Sequence, residues 1–248
     1  MNNLKKSLGI VGVALATLGT ASAAQAALVV VPPDLAPGAQ YRLVFVTDGT
    51  TNALSTNIND YNTFVTNQVT GSALATALTA ANLTTTWRAI GSTATVAAKA
   101  NTGTDGSLPD VPIYLINGTR VANNNADLWD GTIIQTINVT QLDSEAAAGT
   151  FVWSGTSSDG TTNVSNALGA VFPPYGVLAG VITALDSDWI SKSYVPSWVE
   201  QRFYGMSSVL TVPTATPPAA TVPEPTSVLG YITLGGLMLG GAVRKARK

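Results

Sequence analysis

Two apolar stretches, one near each end, limit the part of this 248-residue chain that can fold in water. The first, residues 8–18, follows two lysines and precedes Ala24-Gln25-Ala26, which fits the small-x-small cleavage pattern. Residues 1–26 are therefore predicted to be a secretory signal peptide that signal peptidase removes. The mature chain is expected to begin near Ala27.

The second apolar stretch, residues 228–243, is rich in leucine, glycine and alanine. At about 1.5 Å per residue a helix of this length covers roughly 24 Å, somewhat less than the roughly 30 Å hydrocarbon core of a bilayer. It predicts a short C-terminal transmembrane helix that anchors the chain weakly. The cations that follow should stay in the cytoplasm and leave everything upstream outside; they are Arg244, Lys245, Arg247 and Lys248.

The motif Val222-Pro223-Glu224-Pro225 stands just before this stretch. The order of motif, apolar segment and basic end in residues 223–248 resembles the PEP-CTERM sorting signal of Gram-negative bacteria that make extracellular polysaccharide. The resemblance implies that exosortase, a transpeptidase-like membrane enzyme, recognises the tail and removes it near Pro223-Glu224-Pro225. It also implies export across the inner membrane, at least transient anchoring, and a final place at the cell surface or in the extracellular matrix. The alternative is a plain single-pass anchor.

Charge is distributed unevenly between these ends and the interior. Residues 27–222 hold six of the 12 lysines and arginines and 13 of the 14 acidic residues, a net charge of −7 against −2 for the whole chain. An acidic surface without a basic stripe does not neutralise phosphates, so nucleic acid is disfavoured as a partner. Cations and neutral glycans are more compatible partners for an acidic surface than nucleic acid is.

The chain contains no cysteine and no histidine. This composition excludes a Ser-His-Asp triad, a cysteine nucleophile and a zinc site with imidazole or thiolate ligands. A metal would have to be a hard cation on oxygen ligands, most plausibly calcium, and no other cofactor is expected.

The interior pattern predicts one α+β domain over residues 27–212. Residues 40–46 form a β-rich run that can be buried on both faces, and apolar residues recur at helical spacing over 57–69 and 72–83. We therefore expect two short helices packed on a mostly antiparallel, loop-rich sheet. Further strands are predicted at 86–90, 111–116, 132–139, 150–154 and 207–212, and long loops at 99–110, 155–167 and 183–199. The Pro/Thr-rich residues 213–222 predict an extended spacer.

Several motifs over roughly residues 40–212 carry a second resemblance. They are Trp87-Arg88-Ala89-Ile90-Gly91, Asn117-Gly118-Thr119-Arg120, Asp127-Leu128-Trp129-Asp130-Gly131 and Val152-Trp153-Ser154-Gly155. Together they look like exported proteins with an endostatin-like or C-type-lectin-like domain, in which a helix pair precedes short strands and long loops. The disulfides of those folds, and the Glu-Pro-Asn and Trp-Asn-Asp motifs of true lectins, are absent. Carbohydrate binding is therefore not implied by the resemblance.

Oxygen-bearing side chains cluster in residues 123–131. A calcium loop there would use Asn123, Asn125, Asp127 and Asp130 as ligands. It is not an EF-hand, because Leu128 stands where that loop needs glycine and Ile134 where it needs glutamate. The alternative is a turn in which Asn and Asp bond to their own backbone.

Tryptophans in the predicted loops suggest two further roles. Trp129, Trp189 and Trp198 are candidates for stacking on sugars, although tryptophans more often serve as core residues. A hydrolase would need paired carboxylates, for which Asp127 or Asp130 with Asp159 or Asp188 are the candidates.

These patterns predict an exported, non-enzymatic surface or matrix protein associated with exopolysaccharide. The alternatives are a lectin-like glycan-binding module and a carboxylate-dependent hydrolase.

Overall fold

The computed structural model describes residues 28–170 and 176–214. The predicted signal peptide, nearly all of the predicted spacer, and the tail with its sorting motif and transmembrane helix lie outside these residues. Within the described part, none of the helices is both long and apolar enough to cross a membrane.

The described residues form a mixed α and β structure around a sheet of nine strands. Six of the eight strand pairings are antiparallel, and the β1–β3 and β5–β8 pairings are parallel. The predicted mostly antiparallel sheet with few helices is thus confirmed. The strands are β1 Gln40–Val46, β2 Trp87–Ala89, β3 Ile113–Leu115, β4 Arg120–Ala122, β5 Phe151–Trp153, β6 Val177–Val181, β7 Ser193–Val195, β8 Arg202–Ser207 and β9 Leu210–Thr211.

The sheet runs in the order β4-β3-β1-β8-β5-β6-β7, with β2 added on β8 and β9 on β1. The central strand β1 is buried from Tyr41 to Val46, as its β-rich pattern on both faces predicts. Its one charged residue, Arg42, is buried with the rest of the strand.

Four α-helices accompany the sheet in the described residues: α1 Ile58–Val69, α2 Ala73–Ala80, α3 Ala98–Thr102 and α4 Asn125–Leu128. The first two confirm the predicted helices and begin at polar N-caps. Asn57 accepts a hydrogen bond from the Asn59 N–H, and Ser72 accepts one from the Ala75 N–H. These caps satisfy backbone donors that a helix end otherwise leaves without partners.

Helix α1 packs closely on the sheet at Gly205 of β8. A Cβ added there would lie 2.6 Å from the Phe45 ring and 2.7 Å from a methyl of Val65, so only glycine lets the helix approach this far. The Tyr61 and Phe203 rings pack beside it with centroids 5.0 Å apart.

The predicted strand 132–139 is wrong. Most of this segment has irregular backbone, and an isolated bridge joins Val139 to Glu145. Ile133 and Ile137 are buried as single apolar anchors, so the segment contributes to the core without a strand ladder. The predicted loops 99–110 and 183–199 also contain parts of α3 and all of β7, which are too short to give a clear periodicity.

Candidate functional site

The predicted calcium loop is held by its own hydrogen bonds. Asn124 caps α4 by accepting from the Asp127 N–H at 2.8 Å, and the Asp127 carboxylate accepts from the Asn123 N–H at 2.6 Å and from its side-chain amide at 2.9 Å. This reciprocal pattern is that of a capped helix start. Asn123 and Asp127 therefore already contact each other.

The other two predicted ligands have separate surroundings. Asp130 accepts from the N–H and the hydroxyl of Thr132, both at 2.9 Å, while the Asn125 N–H donates to Asp110 at 2.7 Å. Within residues 28–170 and 176–214, no group of three or more acidic, histidine or cysteine side chains is placed to hold a metal. The side-chain oxygen of Asn125 is buried without a hydrogen-bond partner in the described residues. Calcium binding stays a prediction.

The three candidate stacking tryptophans occupy different environments. Trp189 is fully buried, Trp129 is 9 % exposed, and Trp198 is 56 % exposed. Trp189 lies between Trp129 and Tyr204, with ring centroids 5.8 and 5.7 Å away. One face of Trp129 is covered by Gly160, where an added Cβ would lie 2.6 Å from the ring. Of the three, only Trp198 has more than half of its surface exposed.

Three of the predicted residues meet in one cavity of about 360 Å³, which we call the tryptophan cleft. The Trp129 indole N–H donates there to the Thr104 hydroxyl at 2.8 Å. The cleft brings together Asn125, Trp129 and Asp159 with Asp105, Asp110 and Lys99. It thus collects part of the predicted calcium, stacking and carboxylate sets from separate loops.

Two of the three carboxylates that line the tryptophan cleft, those of Asp105 and Asp159, accept hydrogen bonds from neighbouring hydroxyl and N–H groups. Hydrogen bonds from the Ser107 hydroxyl and N–H lower the pKa of Asp105, and bonds from the Thr161 hydroxyl and N–H lower that of Asp159. A glycosidase needs one carboxyl group whose pKa is raised, so that it can donate a proton. Asp188, another candidate, lines a different cavity and pairs with Lys192.

A second cavity, of about 530 Å³, has the opposite charge. We call it the arginine cleft; it is lined by Arg42, Arg88, Asn59, Thr86, Ser107 and Met206, among others, and no described acidic side chain lines it. Sequence reasoning missed this cleft. The sequence feature that could have indicated it is Arg42, because this is the one charged residue in a strand predicted to be buried on both faces.

Backbone carbonyls hold the buried guanidinium of Arg42. Its Nη1 donates to the carbonyls of Thr102 and Ser207 at 2.9 and 3.0 Å, and its Nη2 donates to that of Gly103 at 3.0 Å. Two of these carbonyls lie at the C-terminal end of α3, where a helix favours a cation. Arg42 is 1 % exposed, and burial lowers its pKa.

The Arg42 charge has no acidic partner within the described residues, where the ion pairs are Arg120–Asp34, Lys192–Asp188 and Arg202–Asp48. Its Nε is buried without a hydrogen-bond partner there. An unpaired buried charge is unusual, because burial without a counter-charge is costly.

An amide pair fixes the wall of the arginine cleft. Asn62 of α1 and Asn101 of α3 bond to each other twice at 2.9 Å, and both bond to the backbone of Ala89 in β2. These bonds join α1, α3 and β2, which all contribute residues to the cleft. Its shape is therefore set by the core.

Buried tyrosines predict that stability is lost at high pH. Burial raises the pKa of Tyr41 to about 12 and also raises the pKa values of Tyr61 and Tyr204. Because the unfolded-state value is about 10, the stabilisation is complete below pH ~10 and is lost as the pH rises through ~12. The chain has no histidine, so the free energy of unfolding should change little between pH 6 and about 9. Urea unfolding at pH values from 6 to about 12 measures both the plateau and the loss of stability. A loss of most of the stability near pH 7 would contradict the prediction.

No protein-family model matches the chain, and no curated protein matches it.

Proposed function

We propose that this chain is an exported, non-enzymatic cell-surface or matrix protein that is sorted by its PEP-CTERM-like tail and associates with exopolysaccharide. The order of Pro223-Glu224-Pro225, apolar segment and terminal cations carries this proposal. The signal-peptide pattern of residues 1–26 supports it, because both ends then address the chain to a membrane.

The folded part agrees with a domain presented on a spacer. The Gly38 N–H bonds to the Val212 carbonyl at 2.9 Å, and the Val212 N–H bonds to the Ala39 carbonyl at 2.8 Å. These bonds tie Val212 to the beginning of β1, one residue before the Pro/Thr-rich segment starts. We further propose a C-type-lectin-like or endostatin-like relationship for residues 27–212, which the helix pair followed by short strands and long loops supports.

Replacing Pro223-Glu224-Pro225 by three alanines is expected to block tail removal and to keep the protein in the membrane fraction. The unaltered chain should be shorter and should appear at the surface or in the medium. Immunoblots of membrane, surface and medium fractions measure size and location together.

Replacing Pro217 and Pro218 by alanine gives a matched control, since it removes two nearby prolines outside the motif. That variant should be sorted normally. Identical size and location of the motif variant and the unaltered chain would refute sorting through this motif.

A glycan-binding module is the second candidate function, and the 56 % exposure of Trp198 favours it. Aromatic side chains with an open face can pack on sugar rings. A glycan array probed with the full chain, with calcium and with chelator, tests this candidate and the calcium prediction together. Signal that disappears in Trp198→Ala would support stacking, and a blank array in both conditions would end this candidate.

A further inference from the structure

The arginine cleft concentrates positive charge in a domain that is otherwise acidic. Residues 27–222 carry a net charge of −7, yet two of their six cations, Arg42 and Arg88, line this one cavity. Neither belongs to an ion pair among the described residues. A local excess of positive charge with low-dielectric walls attracts an anion.

Arg42 has one donor without a partner behind the wall of this cleft. Three of its N–H groups reach carbonyls, through Nη1 twice and Nη2 once. The Nε–H is buried and has no hydrogen-bond partner in the described part of the chain. An arginine N–H that the protein leaves unpaired is a donor for a carboxylate.

Leu108 lies near the Arg42 guanidinium, beside Gly103. A Cβ added at Gly103 would lie 2.5 Å from the Leu108 Cδ1 and 3.5 Å from the Arg42 Nη2, so the leucine side chain and the guanidinium lie on the same side of Gly103. Leu108 is 47 % exposed and lines the cleft. Because it is exposed, its side chain can change rotamer without disturbing the core.

The rest of the cleft suits a small hydroxylated molecule. Asn59 and Thr86 are exposed, and their side chains make no hydrogen bond within the described residues, so they can bond to hydroxyl groups. Val96 is partly exposed and adds an apolar surface for the C–H face of a ring. A volume of about 530 Å³ is in the usual range for small-molecule sites.

We propose that the arginine cleft binds a carboxylate carried on a hydroxylated ring, that is, a uronic acid. Arg88 meets the carboxylate at the surface, and Arg42 supplies the charge behind it together with its unpartnered Nε–H. The three carbonyls around Arg42 offset part of its charge, so the cleft favours a monoanion over a dianion such as phosphate. This inference rests on the cleft alone and goes beyond the sorting proposed above.

The test is calorimetric titration of the full chain in a non-ionic detergent. The probes are D-glucuronate, D-glucose as the neutral match, acetate as a carboxylate without the ring, and inorganic phosphate. Glucuronate is expected to bind at least about tenfold more tightly than the other three probes. It alone has both a carboxylate for the two arginines and ring hydroxyl groups for Asn59 and Thr86. Its affinity should fall as salt rises.

Arg88→Gln is the main variant, because Arg88 is exposed and its replacement leaves the fold intact. It should weaken glucuronate binding about tenfold, and Leu108→Ala should strengthen it, because a smaller side chain beside Gly103 makes the Arg42 guanidinium more accessible. Lys99→Gln is the matched control: Lys99 lies on the same helix as Asn101 but lines the tryptophan cleft, so affinity should change less than about twofold.

A uronate trisaccharide distinguishes the source of the ligand. Tighter binding than the monomer assigns the cleft to an acidic polysaccharide, and equal binding assigns it to a free sugar acid. Equal affinity for glucose and glucuronate, a preference for phosphate, or unchanged binding in Arg88→Gln would overturn the proposal. None of these outcomes depends on where the protein is sorted. A negative binding result would therefore leave the sorting proposal standing, and a negative sorting result would leave the binding proposal standing.

Discussion

Replacement of Trp189 by alanine is expected to lower the free energy of unfolding by about 3–5 kcal/mol. Trp189 has no exposed surface, and its ring fills the space between Trp129 and Tyr204. The backbone also holds it tightly, since a Cβ at Gly180 of β6 would lie 2.0 Å from the Trp189 carbonyl oxygen. The surroundings cannot collapse into the cavity left by the indole. Guanidinium chloride unfolding followed by far-UV circular dichroism measures the change.

Trp198→Ala is the matched control, because it removes the same side chain from a site where 56 % of it is exposed. It should cost less than about 1 kcal/mol. Equal losses in the two variants would show that Trp189 does not support the core. The pair therefore separates a core tryptophan from an exposed one.

Replacement of Arg42 by methionine is expected to cost about 3–5 kcal/mol of stability, even though it removes an unpaired buried charge. The carbonyls of Thr102, Gly103 and Ser207 would each lose a donor, and a buried acceptor without a partner costs about 1–3 kcal/mol. The C-terminal end of α3 would also lose its cation. The same unfolding measurement applies.

Arg88→Met is the matched control, because it removes the other arginine that lines the arginine cleft. Arg88 is exposed and has no ion pair in the described residues. It should change stability by less than about 0.5 kcal/mol. If Arg42→Met were as stable as the unaltered protein, Arg42 would not be what holds β1, α3 and β8 together.

The sequence predicts the elements whose structure is determined by residues close to one another in the chain. β1 is found at Gln40–Val46, as its β-rich pattern requires, and α1 begins where Asn57 places a cap. Segment 132–139 has the composition of a strand, but the burial of Ile133 and Ile137 satisfies its apolar residues without a partner strand. β7 is three residues long and partly exposed, so it leaves no alternation to detect.

The candidate site was less predictable, because distant segments assemble it. Arg42, Arg88 and Ser107 come from β1, β2 and the loop after α3, and nothing near any one of them in sequence indicates the others. The sequence also did not show which tryptophans are buried and which are exposed. The buried Trp189 and the exposed Trp198 both stand in a segment rich in polar residues, so local composition does not tell core from surface.

The pairing of β1 with β8 and β9 also decides when the sheet can assemble. The Leu43 N–H bonds to a serine hydroxyl 164 residues further along the chain. A polypeptide that crosses a membrane amino end first delivers β1 to the far side long before its main partners arrive. Contacts between such distant segments form slowly. A chain exported as proposed above would therefore complete its sheet only after β8 and β9 reach the outer side.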